Sequence, residues 1–168
     1  YGGGKYYFST AYERKFAGFN RVTRTDALGN RTTTFYHQGD VTDSSQGEFS
    51  DHIAKAGKSY RVEVANASGS VYAKTINKWE RVDLGSGRSF VKQTQKIDFA
   101  LDGDATHKDK AEIYAYDDSN GNLVSKTEWG EVLGADAGTF TDVGTDKFVT
   151  TTTYASNAGL YILGLPSQ

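Results

Sequence analysis

The sequence predicts an all-β fold of antiparallel hairpins in a twisted, curved sheet, and three observations carry that expectation. Apolar residues at the 3.6-residue spacing of an amphipathic helix are nearly absent. Thr, Val, Tyr and Phe instead recur in short alternating runs bounded by Gly, Asn and Asp. A strand, a glycine-centred reversal and a return strand occur together three times.

Taken in order, the runs place strands at residues 5–8, 19–25, 31–36, 60–65, 71–79, 89–101, 111–116, 123–131 and 147–154. In Tyr60-Arg61-Val62-Glu63-Val64 the period of two sends Tyr60, Val62 and Val64 to one face, expected to be core. Arg61 and Glu63 go to the other, expected to be wet. The only helical stretch is 50–56, two turns at most, with Ser50 placed to cap it and Gly57 to end it in the left-handed region. The polar segments 39–49 and 134–145 read as surface loops within one domain spanning 1–168. Gly2-Gly3-Gly4 and Leu84-Gly85-Ser86-Gly87-Arg88 read as turns or frayed ends, because neither opens a helix as a phosphate cradle must.

The three hairpins are 21–36, 60–75 and 111–127. Asp26, Asn66 and Asp118 are each placed to accept from a backbone N–H two residues on. Gly29, Gly69 and Gly121 are each placed to take the positive φ of the reversal.

The chain has 168 residues, enough to bury a core without staples, and no cysteine for disulfides or thiolate chemistry. Its 19 basic and 21 acidic residues leave a net charge of −2, so no overall field draws it to nucleic acid or an anionic membrane. No apolar run approaches the roughly 20 residues of a spanning helix. A start on Tyr1 and a stop at Gln168 suggest a piece of a longer protein.

No catalytic, cofactor-binding or metal-binding residue is assigned. His37, His52 and His107 are far apart in sequence and lack helical zinc spacing, so turn or sheet roles with ring-to-backbone bonds are expected. Asp102-Gly103-Asp104 and Asp117-Asp118-Ser119-Asn120-Gly121-Asn122 have hard oxygen donors but the wrong register for a calcium loop. An enzyme would need His37 or His107 to meet a carboxylate in a deep cleft. Trp79 and Trp129 read as core rather than as a stacking platform.

The hairpins resemble the YD repeats of the RHS family, with an aromatic strand, an Asp, a Gly-centred turn and a return strand. Segments 16–22, 26–30, 35–40, 56–64 and 161–167, in that order, resemble the middle region of the B component of bacterial Tc insecticidal toxins. Residues 80–110 carry no part of the resemblance. It implies a non-catalytic piece of a secreted or extracellular hollow β-shell that encloses a toxic effector. The implied partners are other segments of the parent shell, the effector and a translocation-pore component, with no nucleic acid, no membrane insertion and no cofactor. The alternative is an extracellular β-sandwich module binding carbohydrate or protein.

Overall fold

The computed structural model describes residues 1–10, 13–39, 51–103, 106–160 and 162–167. Its strands are β1 Gly2–Thr10, β2 Glu13–Thr25, β3 Arg31–Tyr36, β4 Ser59–Ala65, β5 Val71–Gly85 and β6 Arg88–Ala100. They continue as β7 Lys108–Asp117, β8 Asn122–Gly134, β9 Phe140–Asp142, β10 Phe148–Thr151, β11 Thr153–Asn157 and β12 Ile162–Ser167. β1 to β8 lie side by side in sequence order, every pair antiparallel. The far edge of β8 carries β9 at one end and β10 at the other, completing a ten-stranded sheet, while β11 and β12 form a separate ribbon. The chain is therefore all-β, with one large meander rather than two sheets of comparable size.

The expected reversals form. At 26–30 and 66–70 the first residue's N–H donates to the fifth residue's carbonyl, and the glycine N–H donates back to the first. Gly29, Gly69 and Gly121 have φ of 84°, 95° and 80°, where a side chain would strain the backbone. Asp26 behaves as expected, accepting from the N–H of Leu28 at 2.8 Å. Asn66 instead accepts from the Ser68 hydroxyl and the N–H of Ser70. In the third turn the capping residue is Asp117, not Asp118, because Asp118 turns away to pair with Lys92 at 2.5 Å.

A fourth reversal of the same backbone design occurs at 135–139. Its first residue is Ala135, which has no side-chain acceptor, so the amino-acid pattern does not announce it. This turn links β8 to β9 and lies over the middle of the sheet. Asp136 there pairs with Lys74 and Arg61, and the Gly138 carbonyl accepts from Gln95 at 2.8 Å. Phe140 meets Trp129 edge-on at 5.5 Å.

Beneath that cover lies the core of Ile76, Ile97, Phe99, Ala111 and Val132. Cross-strand partners share a face, so the pairs Arg61–Ile76 and Glu63–Lys74 put Arg61 and Glu63 on the covered side. Val62 and Val64 face the other way, and Val64 is 40% exposed. The period of two is right and Tyr60 is buried as expected, 3% exposed, but from Arg61 to Val64 the assignment of faces is reversed. Ion pairs from Arg61 to Glu63 and Asp136 satisfy the charges where an apolar side chain was expected.

Other elements differ from expectation in extent. The helical stretch is a single 3-10 turn, Ile53–Lys55, capped by His52 and followed by Gly57 at φ 83°; Ser50 lies outside the described residues. Gly2-Gly3-Gly4 is strand, and Gly4 lies beneath the Phe19 ring. The 134–145 loop contains β9, and 147–154 divides at Thr152, whose N–H donates to Val124. Of the 39–49 loop only Gly39 is described.

Candidate functional site

Two histidine–aspartate pairs sit in different parts of the sheet, and neither was read as a pair from the sequence. The first begins where β3 ends. The backbone of His37 continues the ladder, donating to Lys58 and accepting from Gly57, both at 2.9 Å. Its Nδ1 lies 3.2 Å from Asp51 Oδ1, close but not aligned as a hydrogen bond, and the side chains are 1% and 0% exposed.

Asp51 is the centre of this junction. Its oxygens accept from the N–H groups of Gln38 at 3.1 Å, Gly39 at 2.8 Å and His52 at 2.7 Å. Three backbone donors compensate a buried carboxylate that would otherwise be costly. The Gln38 side chain then donates to the carbonyls of Gly3 at 2.7 Å and Gly18 at 2.8 Å, while the Tyr7 hydroxyl donates to the Gln38 carbonyl. Residues 37–39 thus bind the first hairpin to the 51–58 segment. The rings of His37, Tyr60 and Phe35 pack in sequence beside them, at 5.1 and 6.2 Å.

The second pair closes the core. His107 Nδ1 lies 2.7 Å from Asp109 Oδ1, and Asp109 Oδ2 accepts from the N–H of Gly134 at 2.7 Å. A Cβ on Gly134 would stand 2.8 Å from the Phe99 ring and 3.0 Å from Asp109, so only glycine lets the end of β8 approach this closely. His107 itself is packed edge-on against Phe99 at 5.6 Å.

His52 meets the backbone expectation: its Nδ1 accepts from the N–H of Ala54 at 3.0 Å. Near it, burial pushes the Lys55 amine below its ordinary value, opposed by the charges of Asp51 and Glu80, and burial does the same to Lys78. An amine with depressed pKa beside a carboxylate suits nucleophilic chemistry. Lys55 is 2% exposed and Asp51 is engaged by backbone donors; both stand in the wall of a cavity of about 460 Å³ with Lys78 and Trp79. His37 meets Asp51 in a packed joint, while Asp51 and Asp109 also stand in the walls of cavities of about 460 and 570 Å³.

The two tryptophans are half-buried and stand three strands apart, on β5 and β8. Trp79 donates to the Ser59 carbonyl at 2.8 Å with Lys58 over its ring, and Trp129 has Lys147 over its ring. They form no shared platform. Among the described residues no group of three or more His, Asp or Glu converges as metal ligands would. In the 117–122 cluster Asp117 and Asn120 spend their oxygens on the turn and Asp118 pairs with Lys92, and Asp104 lies outside the described residues.

Asp51, Asp109, Gln38, Lys55 and Asp136 are the residues that sequence reading passed over. A signal existed for Asp109, which stands two residues from His107, the spacing that shares a face in extended chain. None existed for Asp51, fourteen positions from its histidine. The remaining feature is the boundary of the sheet: β1 pairs only with β2, and β9 and β10 only with β8, leaving open backbone edges among the described residues. The chain matches no protein-family model, no curated protein and no solved structure.

Proposed function

We propose that the chain is a non-catalytic structural segment of an RHS/Tc-type β-shell that encapsulates a toxic effector and helps deliver it outside a bacterial cell. The observation that carries this reading is the meander itself, eight sequential antiparallel strands with β1 unpaired on its outer side at one end and β9 and β10, laid on β8, forming the outer edge at the other. A hairpin is marginal alone and gains stability from its neighbours, so such a ribbon is suited to continuation by segments of a parent chain. The two histidine–aspartate pairs act here as joints that keep hairpins in register.

Hydrogen exchange in the isolated chain and in the full parent protein tests the proposal. The amides of β1 should be protected at least tenfold more strongly in the parent, where a neighbouring hairpin pairs with them. Equal exchange in both, or a parent whose flanks lack further glycine-centred hairpins, overturns it.

A further inference from the structure

The hairpin of β5 and β6 outruns its neighbours. The ladder between β6 and β7 ends at Gln95–Ile113, so residues 89–94 and 114–121 face each other across a split with no strand pairing among the described residues. Side chains bridge it. Phe90 meets Tyr116 edge-on at 6.0 Å, and the Lys92 amine stands 2.5 Å from Asp118 Oδ1. Strand pairing sets Glu80 opposite Lys92, and Glu80 Oε2 lies 3.8 Å from the same amine. One amine thus meets two carboxylates, each from a different part of the chain.

The amine is the dry member of the group. Lys92 is 9% exposed, whereas Asp118 and Glu80 are 48% and 56% exposed, so water released between them has a way out. Burial raises the hydroxyl of the adjacent Tyr116 above its ordinary value, opposed by the charge of Lys92, which marks the surroundings as poor in water. Asp118 leaves the capping of its turn to Asp117 and commits its carboxyl to the amine. The other buried lysine–aspartate contact differs in kind. There Asp136 is shared by Lys74 and Arg61, and the guanidinium helps to keep the carboxyl ionised and poorly electrophilic. Asp118 has no second cation among the ion pairs of the described residues. Reacting groups held in contact behave as if at an effective concentration on the order of 10⁵ M or more, enough to favour condensation over the free acid and amine.

We propose that Lys92 and Asp118 condense into an intramolecular amide link, with Glu80 as the proton carrier, riveting the far end of the β5–β6 hairpin to the β7–β8 turn. The Nζ lone pair bonds to the Asp118 carboxyl carbon, and one carboxyl oxygen leaves with its bonding electrons. Of the three ammonium protons, two go to that oxygen and make water, and the third stays on the amide nitrogen. The balance closes without oxidant, reductant or co-reactant. Glu80 takes each proton from nitrogen, hands it to the departing oxygen and returns to carboxylate. The link is a covalent tie across the split, made once per chain and without turnover.

Intact-mass spectrometry of the full chain, folded and then denatured, tests the proposal. The wild type should weigh one water less than its sequence, and peptide mapping should return the Lys92 and Asp118 peptides joined. Lys92→Arg, which keeps the ion pair, and Asp118→Ala should each show the full sequence mass. Glu80→Gln should be isolated largely unlinked, because a positioned proton carrier is worth roughly a hundredfold or more in rate. A wild type at full mass overturns the proposal whether or not any variant folds. So does a water loss that survives Lys92→Arg, which would belong to ring closure elsewhere, as at Asp102-Gly103. Complete linkage in Glu80→Gln overturns the role given to Glu80. The shell reading stands apart from these outcomes, because it rests on the sheet edges and not on this joint.

Discussion

The middle of the sheet and its first hairpin are held by different physics. In the middle, Ile76 and Ile97 are 0% exposed under the 134–140 cover, and stability comes from excluded water and close packing. The first hairpin contributes few buried apolar side chains; its rings form an open ladder, Tyr6 on Phe16 at 4.8 Å, Phe16 on Phe19 at 5.4 Å and Phe19 on Tyr1 at 4.8 Å. What fastens it is polar, the bonds that radiate from Gln38 and Asp51. One sheet therefore contains an apolar spine and a hydrogen-bonded flank, and the flank should open first.

The largest effect expected is at the spine. Ile97→Ala should cost about 4 kcal/mol in urea unfolding, with exchange accelerated throughout β5–β8. Next comes the flank's anchor. Asp51→Ala strands three backbone donors and should cost about 3 kcal/mol, with Asp51→Asn recovering part of the loss. If both variants accelerate exchange in the same strands, the division into two regions is wrong.

Gln38→Ala should cost about 1.5 kcal/mol and act locally, speeding amide exchange in β1 and β2 roughly tenfold while β6 and β7 stay unchanged. A smaller effect concerns the turns. Asp26→Ala should lower the melting temperature, and Ala135→Asp, which supplies the missing acceptor to the fourth reversal, should raise it by a smaller amount.

The smallest effect is acid-dependent. The hydrogen bond from Lys74, then the charges of Lys74 and Arg61, hold the Asp136 carboxyl below its ordinary 3.8 against the opposing pull of burial. A depressed folded value means that this pair stabilises the fold above pH 3.8 and ceases to do so as pH falls through the lower folded value. Asp136→Asn should therefore melt below the wild type at pH 7, and the two should converge toward pH 2. Parallel melting curves over that interval would remove the Asp136 tether from the account of the cover.

Much of the strand architecture was legible because alternation and turn residues are local signals. Arg31–Tyr36 was bounded to the residue, and the glycines of the three reversals took their expected φ. β9 was missed because three residues show no period, and β12 because Gly164 and Pro166 argue against a strand, although an edge strand tolerates them. Around Gly85–Gly87 the turn and the return strand were read, but β5 was stopped at Trp79 although it runs on to Gly85. Faces were misread at Arg61 and Glu63 because alternation says which residues share a side, never what will cover it. The joint at His37 depends on Asp51, fourteen positions away in a non-strand segment that only the fold brings near, whereas His107 and Asp109 are two residues apart and their spacing was a signal left unread.

Because spatial neighbours in the large sheet are also neighbours along the chain, its response to mechanical pulling follows from its topology. Force on the outermost strand loads the ladder bonds singly, as a zipper does, instead of all together in shear. The ribbon should thus peel from a free border at low tension, hairpin after hairpin, pausing where Gln38 and Asp51 fasten the first three strands and again at the Asp136 clasp over the centre.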